Sequence, residues 1–333
     1  MNGNDAGMLE EWVRVLDKSV SLNDSVSKMA SNPDYCSKFV DLDKRLKSIF
    51  QEAMLENKDL FEEHTFLLAR VGEYAGRYME EEAAAGKLTD VLKDILKKAK
   101  NISEIKKKFR RADLNKIDEI AACYSLGQLV GCGVPILDTL KYTADNFKEL
   151  NLPDPANAIM EVHNSIRQGD ALANPMSRGF FSKESVYLTA IGEEIGDVDK
   201  TFKKSAEILE AKITHNPSPE QIGEILFYYG AGMFFDAGFP CLKSIRLLAE
   251  NSKIFSIGPK HEILDRVGDY IEGGDALDHL EGGDTLTEAL AKEDYFSKEF
   301  TERLSSHKDN SDAEFLKYSD ELFEKYCSQK FLK

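Results

Sequence analysis

Hydrophobic positions along this chain recur at helical spacing, and almost nowhere at the two-residue spacing of a strand. Ile136, Leu140 and Ala144 line one face at i, i+4 and i+8, the signature of an amphipathic helix. Ala156, Ile159, Met160, His163 and Ile166 form a second stripe that stops at Gly169, and Val198, Phe202, Ala206, Leu209 and Ile213 form another. The segment from Ile120 to Cys132 is apolar nearly all round, which suits a helix at the centre of a bundle. Gly133 supplies a C-cap and Pro135 a first-turn start, so the pattern predicts two helices meeting at that corner. Phe181 before Ser182 predicts an N-cap with a hydrophobic staple onto Val186, and Gly196 ends the helix that follows. Alternating Val/Ile/Thr runs with hairpin turns are nearly absent, so the expected fold class is all-α.

The pattern repeats. With a constant offset of 105, Gly127, Gly133, Pro135, Leu137, Ala144 and Asn146 match Gly232, Gly238, Pro240, Leu242, Ala249 and Asn251. Phe181 to Glu184 recurs as Phe296 to Glu299. An earlier copy is weaker at its start, where Val20, Asp24, Ala30 and Asn32 align with Val134, Asp138, Ala144 and Asn146. It is clear at its end, where Gly72-Glu73-Tyr74-Ala75-Gly76 lies under Gly192-Glu193-Glu194-Ile195-Gly196. Ordered matches at both ends of a long unit predict three tandem repeats of a helical bundle, at 1–102, 103–214 and 215–333. Asn101 to Arg111 joins the first two. Asn216 to Pro219 joins the second and third, with Ser218 and Gln221 in position for a capping box.

Composition narrows the function. A net charge of −16 opposes general affinity for nucleic acid, because phosphate binding needs a concentrated basic surface. Charged residues make up 31% of the chain and interleave with apolar ones, which argues for folded cores and against disorder. The longest uncharged run, Ile120 to Leu137, is 18 residues but holds three glycines and a proline, so a buried helix plus a turn is expected there in preference to a membrane span. Five scattered cysteines with no CxxC pair read as small core residues in a reducing compartment. No secretory signal opens the chain, and a cytoplasmic protein is expected, with peripheral contact at a membrane surface left open.

The middle copy resembles the cytoplasmic domain of the inner-membrane platform protein of type II secretion systems and type IV pili, the F or pilus-assembly-C family. The likeness rests on the basic lead-in Lys106 to Arg111, on Gly133-Val134-Pro135-Ile136-Leu137, and on Gly169-Asp170-Ala171-Leu172. Phe180-Phe181 and Gly192-Glu193-Glu194-Ile195-Gly196 complete it. The third copy keeps Gly238-Phe239-Pro240 but has His307-Lys308 and Ser311 in place of the Gly-Glu and second Gly. The first keeps Gly72-Glu73 and Gly76 but has Ser19 and Ser21 in place of the Gly and Pro. The resemblance implies a bundle of roughly six helices per copy, and a scaffold that binds an assembly ATPase and other platform subunits. Members of that family alternate two such domains with transmembrane helices; three copies without a span depart from this.

Candidate functional residues are few. Glu73 and Glu193 sit near helix C-termini, where a carboxylate opposes the macrodipole and costs roughly 0.3–1 kcal/mol when exposed. A structural hydrogen bond or ion pair at the corner, a partner contact, and a divalent cation shared with Glu194, Asp197 or Asp199 are the three readings. Gly72, Gly76, Gly133, Gly192, Gly196 and Gly238, with Pro135 and Pro240, read as structural. Lys93 to Arg111 carries nine Lys/Arg against Asp94 and Glu104. Lys106, Lys107, Lys108, Arg110 and Arg111 within it read either as a solvated linker or as a contact for an acidic partner or anionic lipid. No motif for a nucleophile, a zinc site or a phosphate cradle is present, so no catalytic residue, metal or cofactor is expected. The aromatic run Tyr228, Tyr229, Phe234 and Phe235 is expected in a bundle core.

Overall fold

The computed structural model describes residues 114–275, 285–306 and 311–327, and these are all-helical, with twelve helices and no strand. In order they are α1 (Leu114–Gly131), α2 (Ile136–Glu149), α3 (Pro153–Arg167), α4 (Ala173–Met176), α5 (Lys183–Ile195) and α6 (Val198–Thr214). Then come α7 (Pro219–Asp236), α8 (Cys241–Phe255), α9 (His261–Asp275), α10 (Leu286–Ala291), α11 (Lys298–Ser306) and α12 (Ser311–Cys327). The chain divides into two compact units, Met1–Gly169 and Asp170–Lys333. That division of contacts falls inside the stretch 103–214 expected from the sequence as one repeat. Gly72, Glu73, Gly76 and the basic residues Lys106, Lys107, Lys108, Arg110 and Arg111 lie outside the described residues, as do His307 and Lys308.

In the first unit α2 packs on α3, and both touch α1. From Ile117 to Leu129 nearly every side chain of α1 is buried, polar Ser125 and Gln128 included. Ser125 donates to the Ala121 carbonyl (2.6 Å) and Gln128 to the Tyr124 hydroxyl (2.8 Å), so the two polar groups cost little in the core. On α2, Leu140, Ala144 and Phe147 face inward while Asp138, Lys141, Asp145 and Lys148 are exposed. No helix among the described residues is long and apolar enough to cross a membrane. The uncharged run Ile120–Leu137 is broken at Gly131, where α1 ends.

Two corners carry the same geometry. After α1, Gly133 adopts φ +88, its amide donates to Val130 O (2.8 Å), and the Val134 amide reaches Leu129 O (3.0 Å). After α7, Gly238 adopts φ +76, its amide donates to Phe235 O (2.8 Å), and the Phe239 amide reaches Phe234 O (3.0 Å). A left-handed residue is costly for anything with a Cβ, which is why glycine stands at both places. Pro135 and Pro240 follow with φ/ψ of −55/141 and −56/138. Each stands at the cap position, one residue before the first helical turn where the sequence placed it, and accepts the amide of Thr139 or Ser244 at 2.9 Å. From α1 to α6 the helices have 18, 14, 15, 4, 13 and 17 residues; from α7 to α12 they have 18, 15, 15, 6, 9 and 17.

In the second unit α7 is the central helix, against α5, α8 and α12. Its start is fixed by Ser218, which accepts the Gln221 amide while the Gln221 side chain accepts the Ser218 amide. Gly232 lets α12 approach: a Cβ there would lie 2.6 Å from Leu316 Cγ and 2.9 Å from the Leu316 amide nitrogen. Tyr228 is fully buried among Phe300, Tyr318 and Phe315, with ring centroids 4.5, 4.8 and 6.1 Å away. Its hydroxyl has no hydrogen-bond partner among the described residues, and burial drives its pKa upward. On α6, Phe202, Ala206, Leu209 and Ile213 are buried as the stripe predicts, and Val198 is half-buried. The stripe did not include Lys204, yet it too is buried. Its ammonium pairs with Asp320 (3.1 Å) and sits over the rings of Phe323 and Tyr229, 4.8 and 5.1 Å from their centroids. Aromatic faces and a carboxylate together supply what water would otherwise give that cation.

Candidate functional site

The Gly-Glu-Glu-Ile-Gly corner lies where α4, α5 and α6 meet. Ser182 caps α5 by accepting the Ser185 amide, with Phe181 buried just ahead of it and Val186 buried one turn on. Near the other end Gly192 lies directly on α6. A Cβ there would fall 2.2 Å from Thr201 Oγ1, and 3.0 Å from both Thr201 Cγ2 and Val198 Cα. Gly196 closes the helix at φ +85, and its amide and that of Asp197 both donate to Gly192 O at 2.9 Å. The first glycine thus serves close approach, and the second serves a left-handed cap.

Between them Glu193 reaches across to α4. Its carboxylate accepts the Leu172 amide at 2.7 Å and the Ala173 amide at 3.2 Å. Amides opening a helix have no partner within it, and a carboxylate satisfies them with charge assistance. This clasp ties the turn Asp170-Ala171-Leu172 to the end of α5. Asp197 pairs instead with Lys200 at 2.6 Å, an interaction that raises the lysine's pKa. Glu194 is exposed and makes no hydrogen bond or ion pair with the described residues. Glu193, Glu194 and Asp197 therefore face separate surroundings, while Asp199 is half-buried in the first turn of α6 and Glu73 lies outside the described residues. Among the described residues no group of three or more His, Cys, Asp and Glu is placed to hold a metal. Of the described histidines, His163, His215 and His261 each contact a sequence neighbour, Asn164, Thr214 and Glu262.

Beside the corner runs a groove of about 680 Å³ between α4–α5 and α8. Phe181, Val186, Ala190, Leu247 and Phe255 give it apolar walls, and Glu193, Glu194, Glu250 and Lys183 ring it. Ile254, also on the groove, is 61% exposed, and is the exposed large hydrophobic residue of the described chain. Sequence reasoning reached Glu193 and Glu194 but not Glu250 or Ile254. The buried stripe of α8 runs through Ile245, Leu248 and Ala249, and Ile254 lies off it.

Residues 122–216 match the family of the type II secretion system (T2SS) protein F. The T2SS F match begins within α1 and ends just after α6, spanning both the Gly133–Pro135 corner and the Gly192–Gly196 corner. It covers less than a third of the chain. Searches of curated proteins and of solved structures returned no match. Within the matched stretch the corner residues have separate physical roles: Gly192 for packing, Glu193 for the clasp, Gly196 for the cap. Gly72, Glu73 and Gly76, which align with this corner in the sequence, lie outside the described residues. Sequence reasoning missed the groups that receive these side chains, namely Thr201 and the amides of Leu172 and Ala173. The two amides had an advance signal in the small and polar Asp170-Ala171 after Gly169, and Thr201 had none.

Proposed function

We propose that this chain is a non-enzymatic platform-type protein of a secretion or pilus machine. It is built from three divergent copies of one six-helix module, at 1–102, 103–214 and 215–333, and works by presenting helix faces to an assembly ATPase or other platform subunits. The T2SS F match over residues 122–216 is the observation that carries this reading. The parallel helix lengths of α1–α6 and α7–α12, and the like hydrogen bonding at Gly133 and Gly238, support the duplication. The middle copy, keeping both corners, stays nearest to ancestral behaviour. Packing of α5 on α7 and α8 supports the idea that contacts between copies stand in for contacts between separate domains. The basic segment Lys106 to Arg111 serves an acidic partner or the anionic inner surface of a membrane, placing the protein in the cytoplasm or at the membrane's edge.

The test is direct binding of the purified full chain to the purified assembly ATPase and platform subunits of its own host, by calorimetry or co-elution. At least one should bind. A variant with Lys106, Lys107, Lys108, Arg110 and Arg111 changed to Glu should bind more weakly and with a smaller salt dependence. Absence of binding to every such subunit overturns the reading.

A further inference from the structure

We infer that the groove between α5 and α8 receives an amphipathic helix from a partner protein, with Lys or Arg flanking its apolar stripe. Three features of the groove converge on this occupant. Its walls are apolar side chains from both helices, with Val186 and Ala190 one turn apart on α5 and Leu247 and Ile254 two turns apart on α8. These rows offer apolar walls on which the i, i+3, i+4 and i+7 anchors of an amphipathic helix can seat. Ile254 stands 61% exposed on it, so apolar surface now in water would be covered on docking. A small enclosed ligand would leave that side chain wet, whereas a helix laid along the groove would not.

The charge of the rim sets the partner's sign. Glu194 and Glu250 face the groove and have no ionic partner among the described residues, and Lys183 is the single opposing charge in the lining. Glu194 lies in the last turn of α5, where the carbonyl end of the helix adds negative potential of its own. An unpaired carboxylate there is destabilising in isolation, and a cation brought by a partner would relieve it. Glu193, although it holds the Leu172 and Ala173 amides, contributes a further negative charge to the same rim. An acidic or neutral helix would meet repulsion or no complement, so charge selects a basic one.

This inference rests on reading the chain as a partner-binding platform, though on no particular machine. Its probe is a fluorescein-labelled 18-residue helical peptide with Leu at every third or fourth position and Lys on both flanks. Anisotropy is measured against the full chain at near-physiological salt. A scrambled peptide of the same composition controls for attraction to the net charge. Binding of the amphipathic peptide should exceed that of the scrambled one, and should weaken about tenfold or more in Glu194→Lys/Glu250→Lys and in Ile254→Asp. Asp145→Lys/Glu161→Lys, the same charge change at exposed residues that do not line the groove, should leave it within about twofold. Circular dichroism checks that each variant is folded. Equal binding of both peptides, or equal loss in the off-groove variant, overturns the inference. So does refusal of the peptide together with self-association, seen by sedimentation, that Ile254→Asp abolishes; that outcome gives the groove to a second copy of the chain. Groove-dependent binding of the peptide with no affinity for any secretion subunit would uphold this inference while sinking the platform reading.

Discussion

Gly192→Ala separates two opposing effects of one methyl group. In a helix interior alanine is favoured over glycine by about 0.8–1 kcal/mol. Here the new Cβ would meet Thr201 Oγ1 at 2.2 Å, Thr201 Cγ2 at 3.0 Å and the backbone Val198 Cα at 3.0 Å. Thr201 cannot simply swing away, because it is fully buried and its hydroxyl donates to Val198 O at 3.1 Å. Val198 Cα moves only if the start of α6 moves. Overpacking costs about 1–3 kcal/mol, and an approach this close, partly to backbone, belongs in the upper part of that range, so the clash outweighs the propensity gain and the variant should lose about 1–2 kcal/mol net. Urea unfolding followed at 222 nm reads this as a lower midpoint with an unchanged slope. Thr201→Ala removes two of the three clashing atoms, so the double variant should be less destabilised than the sum of the singles by more than about 0.5 kcal/mol. A Gly192→Ala chain that is more stable than the parent, or singles that simply add, would refute the close-approach account of this glycine.

The remaining expectations concern the same corner and the second unit. Glu193→Ala should cost about 1–2 kcal/mol, the value of two charge-assisted hydrogen bonds discounted for their exposure; hydrogen exchange at Leu172 and Ala173 should accelerate, and Glu193→Gln should show a smaller effect on both amides. Gly196→Ala, which forces a Cβ into φ +85, should lose about 1–2 kcal/mol by thermal or urea unfolding, and unchanged stability would remove the need for a left-handed cap. The pH dependence has a definite sign at Glu293, whose carboxyl is held below its ordinary value of 4.5 by hydrogen bonding to Arg266 at 2.8 and 2.5 Å. A carboxylate with a depressed folded pKa stabilises the fold above its unfolded value, and that contribution is lost as pH falls through the folded one. Arg266→Gln should therefore be less stable than the parent at neutral pH, with the gap closing as the pH drops below 4.5; a gap that stays constant on acidification contradicts the assignment. Lys204→Met, which keeps the stem but removes the charge between Tyr229, Phe323 and Asp320, should destabilise less than Lys204→Ala in the same denaturation assay.

Periodicity alone determined that the described residues are helical, because the apolar rows at 136–144, 156–166 and 198–213 can bury themselves only as helix faces. Local chemistry determined where several helices begin and end. A positive φ requires glycine at Gly133, Gly196 and Gly238, and the Ser218–Gln221 box depends only on groups three residues apart. These features act over one turn, so a single sequence carries them. Which side chains meet across the chain was settled by packing. Gly192 is needed because of Thr201, and the use of Glu193 became visible only when the turn after Gly169 came within reach, 20 and 21 residues away in sequence. Lys204 could be buried only because Asp320, Tyr229 and Phe323 converge on it. The groove has no sequence signature at all, since its two walls come from α5 and α8 and its exposed isoleucine lies off the stripe that pattern reading follows. Short-range rules concern groups whose separation the covalent chain already sets, while a surface made of two helices exists only once the free energy of burial has brought them together.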